Sequence, residues 1–372
     1  MVRQHFPMPI ITRLTILMLF WILLFVIFQQ LRNFLYPIFL GVLFAYLFYP
    51  LASLFERIRI PRILSNIFSI IIGISVLYGV LIFIYRRLQE FMVDMPAMED
   101  QAIKNIKSIF LGVEQRLHLE TDPEQVQIIK LTRQLFETSS DGIRTTITAT
   151  FNTFFSIGIL PVYIFFFLYY RNKFKTFIMK LIPEYEHKRA SEIIEEINSV
   201  TIKYMTGIFI VVLILCVLNS LGLMIVGLKF AVLWGVIAAI VNFIPYFGTI
   251  IGYSIPLTVA LLTGENPNLA IGVVVLFVII QFTENNILTP NIVGGLIRLN
   301  PFVVILSVLF GGILWGIPGM FIVVPFVGMA KIVFDRVPSL EHWGYLIGDT
   351  GTEEFALNKR NIMRVIRFKK SS

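Results

Sequence analysis

The chain has 372 residues, 57% hydrophobic and 15% charged, with a net charge of +8, where soluble domains carry about 25% charged residues. Eight runs of at least 18 residues lack Asp, Glu, Lys and Arg altogether, which excludes a soluble globular protein and, lacking alternating ten-residue strands, an outer-membrane barrel. The composition predicts an all-α polytopic transmembrane protein with about eight membrane segments, its positive charge facing anionic membrane lipids rather than nucleic acid.

The first run, 14–31, follows Arg13 and invites a signal-peptide reading. It ends Gln29-Gln30-Leu31-Arg32 with no small-x-small cleavage site, so a retained helix is expected. Runs 33–55 and 63–85 complete a first unit, 1–85, of three transmembrane helices. An extramembrane insert, 86–144, follows, with Ile103, Ile106, Phe110, Val113 and Leu117 at the spacing of an amphipathic helix. The transmembrane core, 145–337, holds runs 145–170, 204–228, 230–264, 266–283 and 299–330. Before the second of these, Ile193, Ile194, Ile197, Val200 and Tyr204 mark an amphipathic stretch expected along the cytoplasmic interface. Cys216 lies inside an apolar run and reads as packing. A basic tail, 338–372, closes the chain.

Orientation follows from Lys and Arg. Arg3 and Arg13, then Arg57, Arg59 and Arg62, then Arg171, Lys173, Lys175 and Lys180, and the basic tail fall on one side if both termini are cytoplasmic. The other side receives Arg32, Lys229 and the insert, with Arg86-Arg87 the awkward pair.

Two runs, Phe230–Gly264 and Leu299–Ala330, are 35 and 32 residues long, so a straight helix of either would be about 50 Å, well beyond a hydrocarbon core of about 30 Å. Each carries Ile-Pro near its middle, Ile244-Pro245 and Ile317-Pro318, where a helix kinks or breaks. Each either crosses as a kinked helix or re-enters as a hairpin; Glu265 and Arg298 favour hairpins. Aligning the two prolines sets Ala238-Ala239 over Gly311-Gly312, a faint repeat of the kind found around transporter sites. The hinge residues expected are Pro245, Gly248, Gly252, Pro290, Gly311, Gly312, Gly316, Pro318, Gly319 and Pro325. Small residues four apart, such as Gly41 and Ala45 or Gly235 and Ala239, serve close static packing or a sliding surface.

Polar groups in the apolar runs mark candidate sites. Asn242, three residues before Pro245, either satisfies freed backbone or touches a solute. Asn219-Ser220 read as helix-to-helix hydrogen bonds. Gln281, Glu284 and Asn285 share a helix face, ahead of Thr289-Pro290-Asn291. Glu284 is either a solvated helix-end carboxylate or a coupling carboxylate beside the broken segments; with amide neighbours it suits a monovalent cation, a proton or a small polar solute. Lys331 and Asp335 read as an interfacial ion pair.

His5, His118, His187 and His342 all lie outside the apolar runs, and no zinc motif or phosphate-binding loop occurs. No enzyme, cofactor or metal site is expected, and transport would be secondary, passive or driven by another subunit.

The chain also resembles the autoinducer-2 exporter family of bacterial membrane proteins. The resemblance rests on Pro37-Ile-Phe-Leu-Gly41, Ala45-Tyr46, Pro50-Leu51, the insert after the third helix and Asn242-Phe-Ile-Pro245-Tyr-Phe-Gly248 with Gly252 and Pro256. It continues through Gln281, Glu284, Pro290, Gly294, Leu299, Pro301, Gly311-Gly312, Gly316, Gly319 and Pro325. Tyr246-Phe247 stand where many relatives carry smaller residues. The resemblance implies an inner-membrane permease with about eight helical segments, often a homo-oligomer. Members have been assigned export of the furanone autoinducer-2, or exchange of sodium or lithium for protons. A non-transporting scaffold that binds a partner through the insert is the alternative of a different class.

Overall fold

The computed structural model describes residues 9–117, 130, 134, 157–264 and 268–351. Their secondary structure is helical apart from turns and one isolated bridge. In chain order the helices are α1 (Ile10–Gln30), α2 (Arg32–Arg57), α3 (Arg62–Leu117), α4 (Leu160–Tyr169), α5 (Arg171–Leu181), α6 (His187–Val226), α7 (Ala231–Val241) and α8 (Phe247–Thr263). Then come α9 (Asn268–Thr283), continued by π-helix over Glu284–Val293, α10 (Pro301–Trp315), α11 (Ile317–Arg336) and α12 (Glu341–Ile347). Six helices of the described residues are long and apolar enough to cross a bilayer: α1, α2, α3, α6, α9 with its π extension, and α11. This is an all-α polytopic membrane protein.

Two apolar stretches continue into neighbouring amphipathic ones without a break. α3 runs through residue 85 to Leu117, 56 residues, or roughly 84 Å. Even Pro96 is accommodated inside it. The amphipathic stretch around Ile193–Tyr204 is the first half of α6, a single 40-residue helix, rather than a separate interfacial element. Nothing at either junction breaks a helix: residues 80–90 and 197–206 contain neither glycine nor proline. The rest of the insert up to residue 144, the start of the run 145–170, Glu265 and Pro267, and the tail beyond Gly351 lie outside the described residues.

Both long charge-free segments fold back on themselves. In the first, Gly252 of α8 lies against Ala238 of α7, and Gly248 against Val241 and Asn242. In the second, Gly311 of α10 lies against Gly319 of α11, and Gly312 against Met320. Residues eight apart would be about 12 Å apart along a continuous helix, so these contacts establish helical hairpins. The first break spans Asn242–Tyr246 and includes Ile244-Pro245. The second is Gly316 alone, at φ 66° and ψ −145°, which glycine adopts without a Cβ clash. Pro318 stands two residues after it in the first turn of α11, where its missing N–H costs no hydrogen bond.

Among the described residues the core has two apolar clusters. One gathers Leu43, Ile164, Met205, Leu215 and Val308 from α2, α4, α6 and α10. The other joins Phe91, Met95 and Met98 of α3 to Trp234, Ala260, Val273 and Phe277 of α7, α8 and α9. The first hairpin bridges them: its base sits in the second cluster, and Ala239 and Ile244 near its tip sit in the first. By contrast α1 has no buried residue. It meets the bundle at its C-terminal end through Phe25 against Phe310 and Phe28 against Trp315. Its apolar surface, like those of α6 and α9, faces outward as lipid-facing helices require.

Candidate solute site

The site forms where the tip of the first hairpin meets the end of α9. Asn242 terminates α7 and donates from Nδ2 to Glu284 Oε1 at 2.7 Å. Thr249, in the first turns of α8, donates from Oγ1 to Asn242 Oδ1 at 2.7 Å. One amide therefore links both arms of the hairpin to the carboxylate. Gln281 donates from Nε2 to Asn285 Oδ1 at 3.1 Å, along the face they share with Glu284. The structure thus brings together Asn242, Gln281, Glu284 and Asn285, the last at the exposed edge.

Three polar atoms here are buried without a hydrogen-bond partner among the described residues: Glu284 Oε2, Gln281 Oε1 and the Tyr253 hydroxyl. Tyr253 stacks on Phe277 with ring centroids 3.9 Å apart and lies within electrostatic reach of Glu284. An unpaired buried polar atom costs about 1–3 kcal/mol. Together the three leave two acceptor oxygens and one phenolic hydroxyl available for further hydrogen bonds.

Local sequence chemistry builds the surroundings. Pro290 has no N–H for the helical ladder, and here α9 widens to π-helix, with Gly294 N–H donating to Thr289 O at 2.9 Å. Asn286 and Asn291 donate from their side-chain amides to Phe282 O and Ile287 O, at 2.8 and 2.7 Å. Short π stretches commonly mark functional positions. At the hairpin tip, Phe247 N–H donates to Pro245 O at 2.7 Å across Tyr246, which stands at φ 64° and ψ −55°. This three-residue turn is rare and strained for a residue with a side chain. Beside it, a Cβ on Gly248 would collide with Val241 O and the Asn242 backbone, so glycine lets the start of α8 pack directly on the end of α7.

Of the other expected hinge residues, the glycines lie at a turn or a close approach, whereas Pro325 sits inside α11, which runs through it unbroken. Gly252 meets Ala238, and Gly311, Gly312 and Gly319 line the second hairpin's seam. Gly316 is its tip, and Pro325 is buried in α11. Lys331 and Asp335 pair at 2.5 Å near the end of α11. Asn219 is fully buried in α6, with no side-chain hydrogen bond among the described residues. Thr249 and Tyr253 were not among the expected site residues. Their signal was available: they are polar-capable residues four apart on the arm leaving the break.

Comparison with known proteins agrees in kind. A family model described as "AI-2E family transporter" matches residues 15–339. YrrI, a candidate transport protein of Bacillus subtilis, is 27% identical over 306 residues, covering 80% of this chain and 84% of YrrI. YueF of the same organism is 23% identical over 82% of this chain and 84% of its own length. The AI-2 transport protein TqsA of Escherichia coli K12 is 31% identical over 125 residues, 34% of this chain and 36% of TqsA.

Proposed function

Because the chain belongs to the AI-2E transporter family, we propose that it is a secondary transporter that exports a small polar solute of the autoinducer-2 type across the bacterial inner membrane, both termini cytoplasmic. The observation that carries this reading is the Asn242–Glu284 hydrogen bond. It ties a strained hairpin tip to a carboxylate surrounded by unpaired polar atoms, the arrangement expected of a solute site beside a broken helix. A furanone with several hydroxyl groups offers donors to Glu284 Oε2 and Gln281 Oε1 and an acceptor to the Tyr253 hydroxyl. Alternating access then consists of the first hairpin moving against α9 and α11, with the Asn242–Glu284 bond made and broken in each cycle.

A second reading, exchange of sodium or lithium for protons, is favoured by one observation: Glu284 Oε2 is buried with no hydrogen-bond partner among the described residues, a place for a proton or a monovalent cation. Flux into proteoliposomes, measured for autoinducer-2, sodium and protons with and without imposed gradients, separates the two. Solute export predicts saturable autoinducer-2 flux, lowered at least about tenfold by Glu284→Gln. Cation exchange predicts sodium-dependent proton movement that the same substitution abolishes. Full activity of Glu284→Gln in both assays removes the site from either mechanism.

A further inference from the structure

A second concavity, distinct from the Asn242–Glu284 site, opens between α2, α4, α5 and α6 with a volume of about 510 Å³. Much of its lining is apolar, including Val42, Phe167, Ile194 and Ile197. Tyr46 crosses it to donate to Asn198 Oδ1 at 2.8 Å. The cations Arg171 and Lys175 also line it.

Among the described residues the charges there do not cancel. Glu56 faces two guanidinium groups, Arg171 at 2.5 Å and Arg62 at 3.8 Å, and Lys175 pairs with Glu195 at 3.0 Å. Arg171 Nη1 is buried without a hydrogen-bond partner among the described residues, and its guanidinium is held 5.0 Å from the Tyr49 ring. The helix carrying these groups is itself built for an interface. α5 leaves Phe177 and Leu181 exposed and turns Phe174 and Ile178 to the cavity, interleaved with Lys173, Lys175 and Lys180, the pattern of a basic helix lying at the boundary of lipid and water.

We propose that this concavity is a binding site for an anionic phospholipid, whose phosphate is held by Arg171 and Lys175 while an acyl chain occupies the apolar space between α2, α4 and α6. A phosphate supplies the acceptor that Arg171 Nη1 lacks and balances the surplus guanidinium. A soluble anion has no use for apolar walls, and a neutral lipid leaves the surplus charge unanswered. The site is independent of the solute reading above. It bears on α2 and α6, so its occupant would steady the cytoplasmic ends of two long helices.

The test uses the full-length protein, delipidated in mild detergent and titrated with dioleoyl phosphatidylglycerol, dioleoyl phosphatidylcholine or inorganic phosphate, with bound lipid counted by native mass spectrometry. Phosphatidylglycerol should bind at least about fivefold tighter than phosphatidylcholine, and Arg171→Gln or Lys175→Gln should each weaken it about fivefold. Lys180→Gln, on the same helix but off the cavity, should change it less than about twofold. Equal losses in all three variants would overturn the site in favour of diffuse surface attraction, and equal affinity for the two lipids would overturn it outright. Inorganic phosphate displacing the lipid at comparable concentration would point to a soluble anion instead. Should Arg171→Gln fold poorly, Glu56→Gln/Arg171→Gln removes both partners together. On the unaltered protein, a phosphatidylglycerol carrying a photoreactive acyl chain should label α2, α4 or α6 at cavity residues such as Phe167 and Ile197. Labelling confined to α1 and the outer faces would overturn the proposal without any substitution.

Discussion

The two hairpins start from matching sequence signals and finish as different devices. Their bases are fastened alike, each by one asparagine. Asn105 of α3 donates to Leu262 O and Gly264 O at 3.0 and 2.7 Å below the first. Asn300 caps α10 by accepting from Val303 N–H at 2.8 Å and donates to Leu346 O at 3.0 Å below the second. Their tips diverge. The second tip turns on Gly316 and is anchored by Trp315, which donates to Phe28 O at 3.0 Å and packs against Phe28 and Phe39. The first tip is five residues long and holds strained Tyr246 and polar Asn242. Its apolar contact with the second hairpin is Phe243 against Phe321, 5.2 Å between centroids. The second hairpin is anchored at both ends; the first, fastened at its base and carrying a polar, strained tip, is the one that the proposed transport cycle would move.

Substitutions sharpen or break that contrast. Gly248→Leu should have the largest effect. Its side chain has no space beside Val241 and Asn242, so transport should be lost and thermal stability should fall by about 1–3 kcal/mol or more. Gly79→Leu, where a Cβ meets nothing within 4 Å, is the control. Asn242→Leu should abolish flux and cost about 1–3 kcal/mol, because it leaves Glu284 buried with one partner fewer. A variant that transports normally would show that the first tip is structural only. Asn300→Ala should cost about 1 kcal/mol by thermal unfolding, with flux reduced only in proportion to folded protein. Tyr246→Gly should raise stability by about 1 kcal/mol by relieving the positive φ, and should change turnover more than solute affinity. Trp315→Phe is expected to matter least. It keeps the ring contacts, loses one hydrogen bond of about 1 kcal/mol, and should leave transport intact; a large loss of flux would make the second hairpin mobile as well.

Much of this architecture was legible in the residues. Charge-free runs located the apolar helices, and proline with glycine located both breaks, because backbone donors and Cβ clashes are local properties. The exact turn was less legible. At Pro318 the ring simply starts α11, and the reversal belongs to Gly316, whereas Pro245 sits within its turn. The junctions at residue 85 and around Tyr204 were misleading in a different way: a change from apolar to amphipathic surface is a change of environment, and a helix with no breaker continues through it. The candidate site was partly legible. Gln281, Glu284 and Asn285 share a face by spacing alone, and Asn242 stood out as a polar residue at a break. Their meeting, and the parts played by Thr249 and Tyr253, depend on how the hairpin folds back, which no local pattern encodes. The same holds for Glu56 and Arg171, 115 positions apart in the chain.

The widened helix over Glu284–Val293 has a mechanical consequence. A π turn takes up more residues than an α turn, so this stretch stores slack, much as a dislocation stores an extra row in a crystal. If one surplus residue migrated toward the start of α9, the residues it passed would swivel by roughly 100° about the axis. Glu284 would leave Asn242 and face another wall, while both ends of the helix stayed seated. A carboxylate could then change sides by a travelling defect in its own backbone, without tilting any neighbouring helix.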